Sequence, residues 1–338
     1  MRLALTGRPG GRMLGVAMRA LPLLFLLSAC GPDTAWREAF DATSGGWLLN
    51  VSGSSASDLY AVGGEPARGR ITRYDGASWA EVQHGLDVPL LNWGHGFGPN
   101  DVTVVGNGGT VVHFDGSGWT EQSTPTTETL WGVWGAAPDD LWAVGGSGFP
   151  GATATILHFD GSEWSDHPPP ALMGASVHAF FKVWGTSASN VYIVGQRGTV
   201  LHWDGTAWAQ ELTGASDDLI SLWGTGPDYI LAVGGRGNGV VARWDGAAWQ
   251  SERLTPLPGL NGVWMRADGV AHVAGIRGTL GTIDFATLEV EEASILDSRD
   301  FHSVFGAEGR LVAVGGNLSS SAGPFTGIAY ERGLASNE

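Results

Sequence analysis

The chain has 338 residues, 43% hydrophobic and 15% charged, with 54 Gly, 16 Trp and a single Cys. That composition excludes a largely disordered chain, a disulfide framework and a cysteine-rich metal centre. The net charge of −16 argues against a general binder of nucleic acid or anionic membrane, and 17 of the 18 basic residues are Arg.

In chain order, the first element is an address. Arg2, Arg8, Arg12 and Arg19 form a basic region, and Leu21-Pro22-Leu23-Leu24-Phe25-Leu26-Leu27 an apolar one. The apolar run is too short for a permanent membrane span and reads as a secretory signal. Leu27-Ser28-Ala29-Cys30 resembles a bacterial lipobox. The resemblance implies cleavage before Cys30, lipidation of its thiol and membrane attachment through acyl chains alone. Gly31 lacks the Asp associated with inner-membrane retention, which favours the outer membrane, periplasmic or surface-exposed. Losing residues 1–29 removes four Arg and no acid, so the processed chain carries −20. The expected organisation is signal peptide 1–29, lipidated Cys30 with a tether to residue 34, and one domain over 35–338.

The domain is repetitive. Asp-Gly-x-x-Trp begins at Asp75, Asp115, Asp160, Asp204 and Asp245, at steps of 40, 45, 44 and 41, with a degenerate sixth copy at Ile283-Asp284-Phe285. Trp93-Gly94, Trp134-Gly135, Trp184-Gly185 and Trp223-Gly224 interleave, extended to seven by Val51-Ser52-Gly53, Val263-Trp264-Met265 and Val304-Phe305-Gly306. A third motif of the Ala-Val-Gly type follows each, ending at Gly63, Gly106, Gly145, Gly195, Gly234, Gly275 and Gly315. Seven units of about forty residues predict an all-β, seven-bladed β-propeller with four antiparallel strands per blade. Strand one, ending in Val-Trp-Gly, is innermost. Asp-Gly turns the chain between strands three and four, and the fourth-strand Trp wedges between blades. The last unit has only three strands. Residues 35–40, Ala35 to Phe40, read as the strand that completes it and removes an exposed edge.

Val194-Gly195-Gln196-Arg197-Gly198-Thr199-Val200-Leu201, followed by Asp204-Gly205-Thr206-Ala207-Trp208, resembles the BNR/Asp-box propellers, especially those of the photosystem II stability/assembly factor-like kind. The resemblance covers nearly the whole processed chain. It departs where an Asp box normally has a residue between Asp and Gly. Gly145-Gly146, Gly315-Gly316 and the later Trp are also similar to kelch repeats. Both resemblances imply a propeller and leave its activity open.

Loop lengths point to one face. The interval from the strand-two Gly to the hairpin Asp is 12, 9, 15, 9, 11 and 9 residues, and 16 from Gly315 to Glu331. The loop between strands two and three is therefore extended in blades one, three and seven. The longest connection between blades, through Pro168-Pro169-Pro170 to Phe181, lies on the same face. Arg197, Arg236 and Arg277 stand in equivalent turns of blades four to six, with Arg68 and Arg70 in the extension of blade one; such a set can pair carboxylate or phosphate. Phe149, His178, Phe180, Phe181 and Phe325 can form an aromatic binding surface. His113, His158 and His202 occupy one repeat position in separate blades and read as structural, not as a metal set, and no cofactor motif stands out.

These features predict a monomeric, envelope-anchored lipoprotein whose propeller binds an envelope or secreted protein partner without catalysis. The partner-binding candidates are Arg197, Arg236, Arg277, Arg68, Arg70, Phe149, His178 and Phe325. The alternative is carbohydrate binding or a divergent, sialidase-like glycan-active propeller. The sequence lacks that class's early Arg-Ile-Pro-like motif, and it has no paired Tyr nucleophile.

Overall fold

A computed structural model describes residues 34–334 except 148, 150 and 175. The predicted signal peptide and Cys30 lie outside the described residues. Seven antiparallel sheets of four strands each follow one another along the chain, which makes the seven-bladed propeller expected from the repeat. The first strands are Trp47–Ser55, Leu91–Gly98, Leu130–Ala137, Phe180–Ser187, Leu219–Gly226, Leu260–Met265 and Asp300–Ala307. Blade seven is completed by Arg37–Glu38, whose residues pair with Glu331 and Tyr330 of Gly327–Gly333.

The core is divided among the blade interfaces. Seven buried apolar clusters occur, one between each neighbouring pair of blades. The recurrent residues explain them. The fourth-strand Trp packs backward: Trp208 lies 5.1 Å from Trp142 of blade three, and the Trp164 indole N–H donates to Gln122 Oε1 of blade two at 2.7 Å. The first-strand Trp packs forward. Distal ring atoms of Trp134, Trp184 and Trp264 lie where a Cβ on Gly185, Gly224 or Gly306 would sit, so the Trp-Gly pair is a contact between successive blades.

Each Asp-Gly hairpin is held by the same device. Asp204 Oδ1 accepts the N–H groups of Thr206 and Ala207 at 2.8 and 2.9 Å, and Gly205 supplies φ of +93°. The degenerate copy keeps it: Asp284 Oδ1 accepts Thr287 N–H at 2.7 Å. Hydrogen bonds from the following Ser or Thr hydroxyl and backbone hold Asp115, Asp160 and Asp204 at pKa values of about 2, below the ordinary 3.8. A carboxyl lowered in the fold stabilises it above its unfolded pKa, and that stabilisation is lost as pH falls through the folded value. Stability is therefore expected to fall between about pH 4 and pH 2. Replacing the three Asp by Asn should flatten that part of the stability–pH curve, measured by urea melts at stepped pH. An unchanged slope would refute the assignment.

Two sequence alignments need correction. In blade two the motif equivalent to Trp134-Gly135 is His95-Gly96, not Trp93-Gly94, because His95 pairs with Thr103 as Trp134 pairs with Trp142. In blade seven Glu331 lies within a strand, and Gly333 follows it there. Asp58 and Asn190 hold the turn between strands one and two, Asp58 Oδ2 accepting the Ser54 hydroxyl and Asn190 Nδ2 donating to Thr186 Oγ1, both at 2.7 Å, and with Asp140 they also bind strand three. Arg73 grips Asp58 Oδ1 at 3.1 and 2.8 Å, while Asp140 and Asn190 meet the Nε2 atoms of His158 and His202 at 2.7 and 2.8 Å. These pairs give the strand-three histidines structural partners within their own blades.

Candidate functional site

Every first strand carries a bulge at the same point. The register shifts between Leu48 and Asn50, and likewise across Asn92, Trp131, Phe181, Ile220, Asn261 and His302. A bulge re-aims one side chain out of the alternating pattern. Here it turns one residue per blade toward the axis. Leu49, Trp131, Phe181, Ile220, Asn261 and His302 floor a cavity of about 590 Å³ at the mouth of the channel. Its walls come from residues just after strand two, including Gln196, Arg236 and Ile276, and from the extended loops of blades three and seven through Ser147, Phe149, Leu318 and Ser319. The cavity thus lies on the face carrying the extended loops. Asn92 is the exception among the bulge residues: it donates to Asn107 Oδ1 and Leu130 O, bracing blade two against blade three.

The floor side chains are held in place. Trp131 Nε1 donates to Gly146 O at 2.7 Å, Asn261 Nδ2 to Phe301 O at 2.9 Å, and His302 Nδ1 to Leu49 O at 2.6 Å. Burial lowers the His302 pKa to about 4, so the ring is neutral at pH 7. Asp300 is the one carboxylate among the described lining residues. Its Oδ1 accepts the Arg277 N–H at 2.8 Å and its Oδ2 the Ser319 hydroxyl at 3.2 Å.

The predicted site residues separate into groups. Arg236 lines the cavity, with its guanidinium 5.7 Å from the Phe181 ring centre and forked on Asp218 Oδ2 at 3.1 and 2.9 Å. Arg197 and Arg277 are exposed but do not line it. They occupy left-handed turns, φ 59° and 58°, whose N–H groups are anchored on Asp218 and Asp300 of the following blades. The arginine set therefore does not converge on the cavity. Arg68 and Arg70 are not in a loop: the blade-one extension lengthens a regular hairpin, in which Arg68 pairs with Glu65. Arg70 contacts Glu81 at 3.3 Å and lines an outer groove with Phe40 and Trp79. Phe149 is 74% exposed at the cavity wall. Phe325 packs 4.5 Å from Trp47, a lining residue whose Nε1 donates to Asn317 Oδ1 at 2.9 Å. His178 fastens the long connection, taking Gln196 Oε1 on its N–H and Ala152 O on Nδ1. Phe180 is core, and Phe181 is floor.

Below the floor the axis is aromatic. His95, Trp134, Trp184, Trp223 and Phe305 surround a second chamber of about 120 Å³, with Trp93 and Lys182 between it and the mouth cavity. Sequence reasoning named Phe181 but missed the other bulge residues and Lys182. The available signals were the position three residues before the first-strand Trp and the uniqueness of the lysine. Among the described residues, no group of three or more His, Cys, Asp or Glu has the placement to hold a metal.

The fold and cavity define a seven-bladed propeller with a walled mouth on the loop-extended face. No family model matches the chain, and no curated protein matches it. Solved structures do. It is similar to YCF48 from Cyanidioschyzon merolae, at 14% identity and a TM-score of 0.64, covering 88% of this chain and 99% of that one. A structure of YCF48 bound to D1 peptide matches at 15% identity, TM-score 0.52, over 72% and 91% of the two chains. The WD40 propeller domain of Doa1 matches at 8% identity and TM-score 0.65, over 88% and 97%. At these identities the likeness establishes the propeller fold.

Proposed function

We propose that this chain is a lipid-anchored envelope protein whose propeller binds a protein partner in the mouth cavity, without a catalytic step. The carrying observation is the cavity itself. Its floor is apolar at Leu49, Trp131, Phe181 and Ile220 and braced by the hydrogen bonds of Trp131, Asn261 and His302, and its rim is polar at Gln196, Arg236 and Asp300. A braced apolar floor inside a polar rim suits an inserted apolar side chain of a partner segment. A pair of carboxylates is not part of the described lining, since Asp300 is its one carboxylate and is engaged by Arg277 and Ser319. The D1 peptide on the YCF48 neighbour supports a protein segment as the ligand class. The lipobox-like Leu27-Ser28-Ala29-Cys30 after a basic and apolar leader supports the anchor.

The test uses residues 31–338 as bait on envelope extract of the host. A captured protein should be reduced at least tenfold by combined Trp131→Ala and Phe149→Ala, the order expected for removing two aromatic anchors. Arg197→Ser, outside the cavity, should leave capture intact. Loss with Arg197→Ser but not with the aromatic pair would reject the cavity. Glycan fragments bound by the wild type and lost with the aromatic pair would replace the protein partner by a carbohydrate. The anchor is tested separately: Cys30→Ser should abolish incorporation of labelled fatty acid.

A further inference from the structure

Lys182 is the one lysine in a chain with 17 Arg. It lies on the first strand of blade four at the level where blades three and six carry Gly132 and Gly262 and blades five and seven carry Ser221 and Ser303. Gly132 suits this close approach, because a Cβ there would lie 3.0 Å from the Lys182 Cα. The side chain crosses in front of Gly132 to reach blade two, where Nζ sits 2.9 Å from the Trp93 ring centre and 3.4 Å from Trp131 O. The residue is 3% exposed. Among the described ion pairs none involves Lys182.

A buried cation with no carboxylate is costly, and a lysine in that setting sheds its proton. Burial pushes the Lys182 amine well below its ordinary 10.5. The residue also borders open space. It lines the chamber of about 120 Å³ whose other end adjoins Gly53 and Gly96, where strands one and two are joined, and whose walls Trp134, Trp223 and Phe305 are only half-buried. The combination is a nucleophilic amine, aromatic walls and room for a few heavy atoms.

We propose that Lys182 captures small uncharged aldehydes in the axial chamber as a reversible imine. The amine nitrogen attacks the carbonyl carbon, and the carbonyl π pair moves to oxygen. Both amine protons pass to that oxygen, which leaves as water as the C=N bond forms. No oxidant or reductant enters the step. The chamber's size admits an aldehyde such as acetaldehyde and excludes a ring-bearing one. This activity is independent of the partner site, which lies above the floor.

The processed full chain is treated at pH 7 with acetaldehyde and cyanoborohydride, which reduces an imine to a stable ethyl amine, and the adduct is mapped by peptide mass. Wild-type protein is sufficient, so nothing depends on a variant folding. Lys182 should be ethylated on the order of tenfold faster in the folded protein than in guanidinium, where its amine regains an ordinary pKa and is protonated. Pyridoxal phosphate should label it only in guanidinium. Labelling by acetaldehyde at an equal or slower rate in the folded protein would overturn the proposal, showing an amine that is merely buried. Equal labelling of the folded protein by pyridoxal phosphate would overturn it too, showing an open amine without a selecting chamber.

Discussion

Deleting residues 35–40 is expected to lower the unfolding free energy by about 3–5 kcal/mol, a large share of the ~5–15 kcal/mol of a typical fold. The segment supplies far more than two strand residues. The Arg332 guanidinium lies 5.1 Å from the Trp36 ring centre. Arg37 forks onto Glu331 Oε1 at 3.1 and 2.9 Å. Ala39 N–H donates to Ala329 O at 2.9 Å, and the Phe40 ring packs, tilted, 4.8 Å from that of Trp79 in blade one. Removing it uncovers Gly327–Gly333 as a sheet edge and strips apolar cover from the interfaces of blade seven with both neighbours. The readout is the urea midpoint of the truncated chain against the parent. Arg37→Ala alone should cost under about 1 kcal/mol, because Arg37 is largely exposed and Arg310 still holds Glu331. An unchanged midpoint after truncation would show that blade packing closes the ring without the terminal strand.

Gly315→Ala should be comparably damaging, at about 2–4 kcal/mol, although it adds one methyl group. The new Cβ would stand 1.9 Å from Asp300 O and 2.7 Å from Phe301 Cα, both backbone atoms that cannot rotate away. The same approach recurs where strand two ends beside the start of strand one: a Cβ would meet Trp47 O at 1.9 Å from Gly63, Thr129 O at 2.1 Å from Gly145, and Asp218 O at 2.0 Å from Gly234. The invariant Gly of the repeat is thus a steric requirement of the bulge beside it. Gly118→Ala is the control. No atom lies within 4 Å of its Cβ position, so its effect should fall within about 0.5 kcal/mol. Thermal or urea melts of the two variants decide it, and equal melting points would refute the steric account.

The seven blades, the strand order within each and the closure by residues 35–40 were all legible in the sequence. Their causes are local and repeat at one period: Asp204 caps its own hairpin, and Trp36 stands to Arg37 as Trp79 stands to Ala80. The face carrying the mouth cavity was legible as well, because extra length between strands two and three has one place to go. Of the cavity residues Arg236, Phe149 and Phe181 were named in advance, but most of the floor was not. Trp131, Phe181 and His302 face the axis only because a bulge breaks the alternation at one residue per blade, and a strand pattern read by twos assigns them elsewhere. Arg197 and Arg277 share a repeat position with no convergence, since a turn's height in the blade says nothing of whether its side chain points inward. The blade-one extension became hairpin because Glu65 and Arg68 can pair across two residues, while the longer insertions of blades three and seven ran out over the cavity. Lys182 meets Trp93 across a whole blade, a contact set by the angle between sheets. A one-dimensional repeat carries each blade's internal order, and only closing the ring brings side chains from seven blades to one axis.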